Sequence, residues 1–325
     1  MDLACQSSIG HCAVADLASS RGIGRGYDIT YETPRSEELA LFRLGEKNYD
    51  HILFLPTKVK GKKRNSPHYS LPHWAQETHA SSSPGLGPNL TPNLLVDFVN
   101  AEGNILIAQS STHTTSTSLA GFLTQLDIHL PYERTGLVVD HFAYDTVSAS
   151  EKHNVLVLDS PQPIRAGVKP LFSLPEGDVL AFPNSVGHAL GAGQLLSPIL
   201  RAPSTAYSYN PKEQAEVIEA DDLFGAGAQL NLVSAFQARN SARVVLLGSA
   251  EMLQDKWFGA KVARPDAKKT PAANREFAKR LSAFTFQELG VLRVNSVEHR
   301  LVGGNETNPE MYRVKNEAVR LLLTW

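Results

Sequence analysis

Cysteine is nearly absent from this sequence of 325 residues, which contains only Cys5 and Cys12. Two cysteines so close to the amino terminus cannot build a disulfide framework or a zinc site for the rest of the chain. They also exclude thiol catalysis by any residue after Cys12. The body of the chain must therefore fold around a hydrophobic core, for which its apolar content of 42% is sufficient.

An excess of charge of either sign is also missing, because 31 basic and 33 acidic residues leave a formal net charge of −2. Nucleic-acid binders and polybasic membrane anchors carry a strong positive excess, so the composition argues against both classes. No apolar run reaches the length of a membrane-spanning helix. Residues 1–20 lack a basic start and an unbroken apolar run, and the sequence predicts no signal peptide there.

Motifs that carry catalysis or bind cofactors are missing as well. Neither "LLGSAEM" around Ser249 nor "IAQSSTH" around Ser111 has the flanking glycines of a hydrolase nucleophile elbow. The sequence has no phosphate-binding loop and no dinucleotide fingerprint, so we expect no cofactor. The adjacent Asp221 and Asp222 lack the spacing of a metal-dependent sugar-nucleotide transferase. One alternative stays open, a soluble hydrolase or amidotransferase-like enzyme with Ser249 or Ser111 as nucleophile and His141 as base.

Two groups of residues resemble metal sites. Three histidines lie in the proline- and serine-rich segment 61–84: His68, His73 and His79. This segment has no helical or strand period, so we expect an exposed, disordered insertion in which nothing fixes their geometry. In "VVDHFAYD", Asp140, His141 and Asp145 are close in sequence, but a strand would point the first two to opposite faces. We therefore expect no metal site in either group.

Apolar and polar residues alternate along the chain in a way that predicts strands and helices in turn. The predicted strands are 26–33, 51–56, 104–111, 136–146, 153–158, 228–237 and 243–248, and the predicted helices are 37–49, 91–103, 117–128 and 274–290. In the second helix Thr91 is a suitable N-cap, and Pro92 suits the first helical position. Strands that alternate with helices are typical of a doubly wound, mostly parallel α/β sheet.

The stretch "QARNSARVVLLGSAEMLQDKWF" (237–258) contains a turn and a strand that leads into a helix. We expect Gly248 to allow a sharp turn and the Ser249 hydroxyl to cap the helix that follows. In the turn, the guanidinium groups of Arg239 and Arg243 are suited to bind backbone carbonyls or an acidic group of a partner. A carbohydrate-binding module is a third alternative, which rests on three aromatic residues: Tyr207, Tyr209 and Trp257.

The segments 227–258 and 275–303, together with "VVDHFAYD" and "ILRAPSTAYSYNP", resemble a known family in the same order. They are similar to the non-catalytic 48 kDa subunit (WBP/DDOST type) of the eukaryotic oligosaccharyltransferase. The residues that match its motifs, and that we consider as a possible interface, are Gln237, Arg239, Asn240, Arg243, Gly248, Ser249 and Trp257. The resemblance covers residues 24–60 and 85–319.

This resemblance implies an accessory subunit on the lumenal side of the endoplasmic reticulum membrane, without catalytic residues of its own. The complex transfers a dolichol-linked oligosaccharide to asparagine in nascent proteins, and its catalytic site is expected on another subunit. The implied partners are that catalytic subunit and ribophorin-type subunits, and the implied fold is a Rossmann-like, amidotransferase-like domain. In such a lumen, Asn89 in "NLT" and Asn305 in "NET" are acceptors for glycosylation.

The chain departs from the family pattern in three places. Residues 1–23 resemble neither a signal peptide nor the first strand and helix of the family domain, and the insertion 61–84 interrupts a connection. After the domain 24–290, residues 291–325 read as the start of a β-rich domain that stops before the family's membrane helix. We therefore expect a truncated or misassembled gene product that lacks an interior strand and is prone to aggregate.

Overall fold

A computed structural model describes most of the chain, and for residues 2–6 it describes only the backbone. The described residues are 2–6, 27–34, 36, 39–56, 86–161, 171–211, 223–265 and 267–291. The chain divides into two compact units, 1–290 and 291–325, and all but the first residue of the second lies outside the described residues. The predicted insertion 61–84, the predicted start of a β-rich domain and Asn305 also lie outside them, so these stay predictions.

Strands are the main regular structure of the first unit. They are β1 (Asp2–Gln6), β2 (Asp28–Tyr31), β3 (Phe42–Arg43), β4 (Glu46–Lys47), β5 (His51–Phe54), β6 (Asn104–Ala108), β7 (Ile128–His129), β8 (Leu137–Val139), β9 (Val155–Asp159), β10 (Val179–Pro183), β11 (Ala189–Leu190), β12 (Leu196–Arg201), β13 (Tyr207–Tyr209), β14 (Gly225–Ala226), β15 (Asn231–Gln237), β16 (Arg243–Leu247), β17 (Lys261–Val262) and β18 (Thr270–Pro271). The helices are α1 (Pro92–Asn100), α2 (Thr117–Gln125), α3 (Asp255–Phe258) and α4 (Asn274–Thr285), with 3₁₀ turns at Gly227–Gln229 and Glu251–Leu253.

The central sheet has seven strands in the order β12-β15-β16-β6-β5-β1-β2. Neighbouring strands are parallel from β16 to β2, whereas β12 and β15 run antiparallel to their neighbours. Strands β5, β6 and β16 are buried along their whole length. Their nearly continuous apolar sequences are typical of strands that are covered on both faces.

Alternate residues of the central strands enter two separate cores, one on each face of the sheet. Ile105 and Ile107 of β6 pack in the core that contains α1 and α2. Leu106 and Ala108 of the same strand pack in the core that contains α4, β9 and β10. The period of two along β6 therefore holds both outer layers against a single sheet.

Helix α1 confirms the predicted start signals. The Thr91 hydroxyl accepts a hydrogen bond from the Leu94 amide at 3.3 Å, and Pro92 occupies the first helical position. A Cβ at Gly103 would lie 2.2 Å from the Phe98 ring, so only glycine fits where the chain leaves the helix for β6. This local sequence therefore specifies both ends of the helix.

The prediction of a doubly wound, mostly parallel α/β domain is wrong. Eight of the twelve strand pairs among the described residues are antiparallel. Outside the central sheet, the described strands form five small antiparallel sheets, and the described residues contain only four α-helices. The described residues between 128 and 230 form short strands joined by turns, with no α-helix among them, so the fold is mostly strand and not Rossmann-like.

The predicted helix 37–49 is also wrong, because this segment contains the β3–β4 hairpin. Leu44 and Gly45 form its two-residue turn with φ values of +53° and +88°. Positive φ at both positions joins antiparallel strands tightly. Leu39 and Leu41 are buried on either side of a less buried Ala40, which is the period of an extended chain and not of a helix.

The expectation of a missing interior strand is wrong as well. Strand β1 (Asp2–Gln6) lies between β2 and β5 and pairs in parallel with both. The amino-terminal segment therefore occupies the interior position in the sheet that we expected to be missing. The sheet edge that we expected to be exposed at that position is paired on both sides. The expectation of aggregation rested on that exposed edge, and the structure does not support it.

Candidate functional site

A cleft opens at the carboxyl ends of β5 and β6, which is where α/β sheets place their ligands. It is small and partly open to solvent. Its lining residues are Phe54, Leu55, Pro56, Leu86, Ile107, Ala108, Gln109, Ser110, His113, Thr114, Thr115, Ser116 and Leu119. The floor is apolar, and the polar side chains all come from the loop that joins β6 to α2.

A carboxylate from the other side of the sheet meets this loop. Glu251, in the 3₁₀ turn after β16, accepts a hydrogen bond from the Ser110 hydroxyl and one from the Thr112 hydroxyl at 3.3 Å. The Thr112 oxygen also lies 2.8 Å from Nδ1 of His113. Burial raises the pKa of Glu251, and the two hydroxyl donors oppose that shift only in part.

This arrangement suits the binding of a polar group more than nucleophilic catalysis. The proton of the Ser110 hydroxyl is directed at a carboxylate, and Ser110 itself is buried. Gln109 donates to Thr115 at 3.0 Å, while its buried Oε1 has no hydrogen-bond partner. A buried amide oxygen without a partner beside a cleft is an acceptor that a hydroxyl-bearing ligand would satisfy.

Arg243 lies in the core and binds backbone carbonyls, which is one of the two roles predicted for it. Its guanidinium group donates to the carbonyls of Phe284 (2.5 Å), Leu289 (2.6 Å) and Gly290 (2.6 Å), and it lies 4.2 Å from the centre of the Phe284 ring. Only 2% of the residue is exposed. Arg243 therefore joins β16 to the carboxyl end of α4.

The other motif residues of the turn are one structural residue and two exposed ones. The Asn240 side-chain amide donates to the carbonyls of Val99 (2.8 Å) and Asn100 (3.1 Å), and so it caps the carboxyl end of α1. Gln237 and Arg239 are exposed. Among the motif residues of this turn, only Gln237 and Arg239 have exposed side chains.

Gly248 and Ser249 have structural roles that differ from the predicted ones. A Cβ at Gly248 would lie 2.3 Å from the Val186 carbonyl oxygen, so glycine is required for a close approach of two backbones. The prediction that Ser249 caps a helix is wrong. Its fully buried hydroxyl donates to the Pro183 carbonyl at 2.6 Å, and the turn that follows has no side-chain cap.

Trp257 is only 5% exposed and packs in a small core with Ala149, Val157 and Val262. It therefore offers no surface for the carbohydrate-binding alternative. Asn89 is partly buried, and its side-chain amide donates to the Ser36 carbonyl at 3.2 Å, so its role as a glycosylation acceptor stays a prediction.

The nucleophile and base of the enzyme alternative do not meet. The two ring nitrogens of His141 lie 2.5 Å from Nδ1 of His153 and 3.0 Å from the Tyr207 hydroxyl. Ser249 is sealed in the core, and no hydrogen bond joins His141 to Ser111 among the described residues. The alternative with His141 as the base therefore has no geometric support.

The side chains of Asp140, His141 and Asp145 in "VVDHFAYD" do not meet in one site. Strand β8 ends at Val139, and the residues that follow form a loop. The carboxylates of Asp140 and Asp145 are buried and accept hydrogen bonds from backbone amides, whereas His141 points outward. Among the described residues, no group of three His, Cys, Asp or Glu side chains is placed to hold a metal ion.

A family model described as "OST48, N-terminal domain" matches residues 21–77 and 78–288, most of the chain. The chain belongs to the OST48 family. This confirms the resemblance that its motif residues indicated. Within the described part of the chain, no helix is both long enough and apolar enough to cross a membrane.

Two relatives in the OST48 family show how far the similarity extends. Subunit wbp1 of the dolichyl-diphosphooligosaccharide–protein glycosyltransferase from Schizosaccharomyces pombe is 30% identical over 299 residues, which are 91% of this chain and 59% of that protein. The 48 kDa subunit from Caenorhabditis elegans is 29% identical over 301 residues, which are 91% and 60% of the two chains. This chain thus spans about three fifths of these relatives.

Among solved structures, the mmIFT52 N-terminal domain aligns with 90% of this chain and all of that chain. The TM-score is 0.48 and the sequence identity is 11%, a similarity that supports no functional argument.

Sequence reasoning missed two features of the site. The pairing of Glu251 with Ser110 joins residues that are 141 positions apart, and no local pattern predicts it. One partner of His141 is His153, which lies two residues before the apolar run of β9 in "KHNVLVL". That position at a strand end was the available signal, because loops next to strand ends commonly carry functional side chains.

Proposed function

We propose that this chain is a non-catalytic, accessory part of the oligosaccharyltransferase complex of the endoplasmic reticulum. The complex transfers a dolichol-linked oligosaccharide to the asparagine of Asn-x-Ser/Thr sequences in nascent proteins. The observation that carries the proposal is the family match from residue 21 to 288. The names of the relatives, which are subunits of that glycosyltransferase, support it.

The chain acts in this proposal as a scaffold on the lumenal side, and the catalytic site is on another subunit. Two contacts in the fold support a structural role for its best candidate nucleophile and base. The hydroxyl of Ser249 is committed to the Pro183 carbonyl, and the ring of His141 is committed to His153 and Tyr207.

The motif residues divide between folding and assembly in the same proposal. Gln237 and Arg239 are exposed at the β15–β16 turn and face the catalytic or ribophorin-type subunits. Arg243 and Trp257 are buried and hold the fold together. A guanidinium group on a rigid turn is well suited to a bidentate contact with a carboxylate of a partner.

Loss of this protein is expected to leave Asn-x-Ser/Thr sites unmodified. Cells of the host are depleted of the gene product that contains this chain, and the occupied fraction of each site in a secreted reporter is measured by mass spectrometry. We expect occupancy to fall on depletion and to recover when the wild-type product is restored, because a complex without its scaffold subunit assembles poorly.

A Ser249→Ala variant is the matched test of the enzyme alternative, because it removes only a hydroxyl. Recovery of occupancy with this variant, in proportion to the amount of folded protein, agrees with an accessory role. Unchanged occupancy on depletion would contradict the proposed function.

A further inference from the structure

Two histidine rings meet on the exposed connection between β8 and β9, residues 140–154, and this pair goes beyond the accessory role. Nδ1 of His141 lies 2.5 Å from Nδ1 of His153. We infer that His141 and His153 are ligands of a divalent transition-metal ion, which binds between their two Nδ1 atoms.

The spacing of the two nitrogen atoms fits a shared ion after a small movement. Imidazole nitrogens bind zinc at about 2.0–2.1 Å, so two ligands of one tetrahedral ion lie about 3.3 Å apart. The observed 2.5 Å is shorter than an ordinary N–H···N hydrogen bond, and only one proton fits between the two atoms. The two Nδ1 atoms separate by about 0.8 Å when the ion binds, and the exposed His141 ring makes this small shift because the His153 ring is stacked on Tyr144.

The outer nitrogen of each ring already has the partner that a metal-bound histidine requires. Nε2 of His153 lies 3.2 Å from the Ser150 carbonyl, which only accepts, so this nitrogen carries the hydrogen and leaves the Nδ1 lone pair free. Nε2 of His141 lies 3.0 Å from the Tyr207 hydroxyl, which accepts equally well. Such outer partners fix the ring orientation and the tautomer of metal ligands.

The backbone on the His141 side of this connection is held in place by a buried carboxylate. Asp140 accepts hydrogen bonds from the amides of Phe142 (2.7 Å) and Ala143 (3.1 Å) and from the Thr205 hydroxyl (2.7 Å). Asp140 therefore fixes the backbone next to His141, and it is itself fully buried. A site whose backbone is fixed before the ligand arrives binds with less loss of entropy.

The ring of His153 is fixed from the opposite side. It stacks on Tyr144 with ring centres 3.8 Å apart and an angle of 25° between the planes. Its backbone has a φ of +48°, a left-handed conformation that the preceding turn stabilises through the hydrogen bond from His153 N to the Ala149 carbonyl. A strained, stacked residue at this position keeps Nδ1 directed at His141.

The ligand chemistry selects the class of ion. Two neutral imidazoles suit Zn²⁺, Cu²⁺ or Ni²⁺, whereas Ca²⁺ and Mg²⁺ require oxygen ligands. Since the described residues offer no third His, Cys, Asp or Glu ligand there, the remaining coordination positions are open to water or to a group of another molecule.

Titration of the purified full chain with Ni²⁺ and Zn²⁺ tests this inference. We expect one binding site that His141→Ala abolishes and that His153→Asn abolishes as well. Asparagine is chosen at 153 because it tolerates the left-handed backbone better than alanine. Tyr207→Phe is expected to bind about tenfold more weakly, because it removes the outer partner of His141.

His129→Ala is the matched control, because His129 is also exposed and contacts a single carboxylate, that of Asp127. This variant should bind as the wild type does. Addition of Zn²⁺ should raise the Tm of the wild type and of His129→Ala, and it should leave the Tm of His153→Asn unchanged. A wild-type chain without this site, or one whose site survives both His141→Ala and His153→Asn, overturns the inference.

Discussion

Replacing Arg243 with alanine is expected to lower the free energy of unfolding by about 4 kcal/mol. The substitution removes three hydrogen bonds from a charged donor, and it leaves the carbonyls of Phe284, Leu289 and Gly290 without that donor. Each hydrogen bond from a charged donor contributes about 1.5–3 kcal/mol. The Phe284 carbonyl keeps the Gln287 amide as a donor and Gly290 is exposed, so we expect contributions at the low end of that range. The space left above the Phe284 ring adds a cavity.

Arg243→Lys should recover only part of this loss. A lysine ammonium is a compact donor on a flexible chain, and it does not reproduce a planar fork that reaches three carbonyls. Arginine and lysine carry the same positive charge at this position, but only arginine has a planar guanidinium group. Comparing the wild type with Arg243→Lys therefore separates the effect of the charge from the effect of that geometry.

Equilibrium unfolding in urea measures both variants, and Arg239→Ala is the control from the same turn. Arg239 is exposed, so its replacement should change the free energy of unfolding by less than about 0.5 kcal/mol. Equal losses for Arg239→Ala and Arg243→Ala would show that the buried contacts of Arg243 do not stabilise the fold.

Lowering the pH from 7 to 5 is expected to reduce the free energy of unfolding by about 4 kcal/mol through two buried histidines. Burial lowers the pKa of His51 from 6.5 to about 4 and that of His188 from 6.5 to about 3. Both rings are therefore neutral in the folded chain over this range. Each contributes about 2 kcal/mol of the change, because one pKa unit corresponds to about 1.4 kcal/mol.

The direction of the effect follows from which state binds protons first. Below pH 6.5 the unfolded chain protonates its histidines, whereas the folded chain does not until about pH 4 at His51 and about pH 3 at His188. The two histidines therefore do not lower the free energy of unfolding above pH 6.5, and they lower it progressively as the pH falls below 6.5. Glu251 acts in the opposite direction, because its raised pKa lets the folded chain keep a proton that the unfolded chain has released.

Unfolding curves of the wild type and His188→Gln at several pH values isolate the contribution of one ring. His188 is fully buried, and its Nε2 lies 2.7 Å from the Ser234 hydroxyl, which glutamine is able to meet as well. The variant should lose about 2 kcal/mol less than the wild type between pH 7 and pH 5. Parallel stability curves for the two proteins would show that His188 is not buried as a neutral ring.

Local signals in the sequence predicted the elements that carry the site, but not their assembly. Buried strands at β5, β6 and β16 followed from apolar runs, and helix α1 followed from Thr91 and Pro92. The segment 37–49 was misread because its leucines satisfy a helical spacing as well as the period of an extended chain. Only the left-handed turn at Leu44 and Gly45 decides between them.

Contacts between distant residues were not accessible from the sequence. The antiparallel pairing of β15 with β16 was not predicted, although a tight turn joins the two strands, and the small sheets between 128 and 230 depend on pairs such as β8 with β13. The same limit applies to the side chains. Arg243 was predicted to bind backbone carbonyls, while the identity of those carbonyls, about 45 residues away at the end of α4, required the fold.

Affinity purification of the tagged gene product from gently solubilised membranes of its host tests the central claim most directly. The scaffold role predicts that the catalytic subunit and ribophorin-type subunits are recovered with it, and that Arg239→Glu weakens their recovery while Arg239→Lys largely retains it. Recovery of a folded product without any subunit of the glycosyltransferase would contradict the role proposed for this member of the OST48 family.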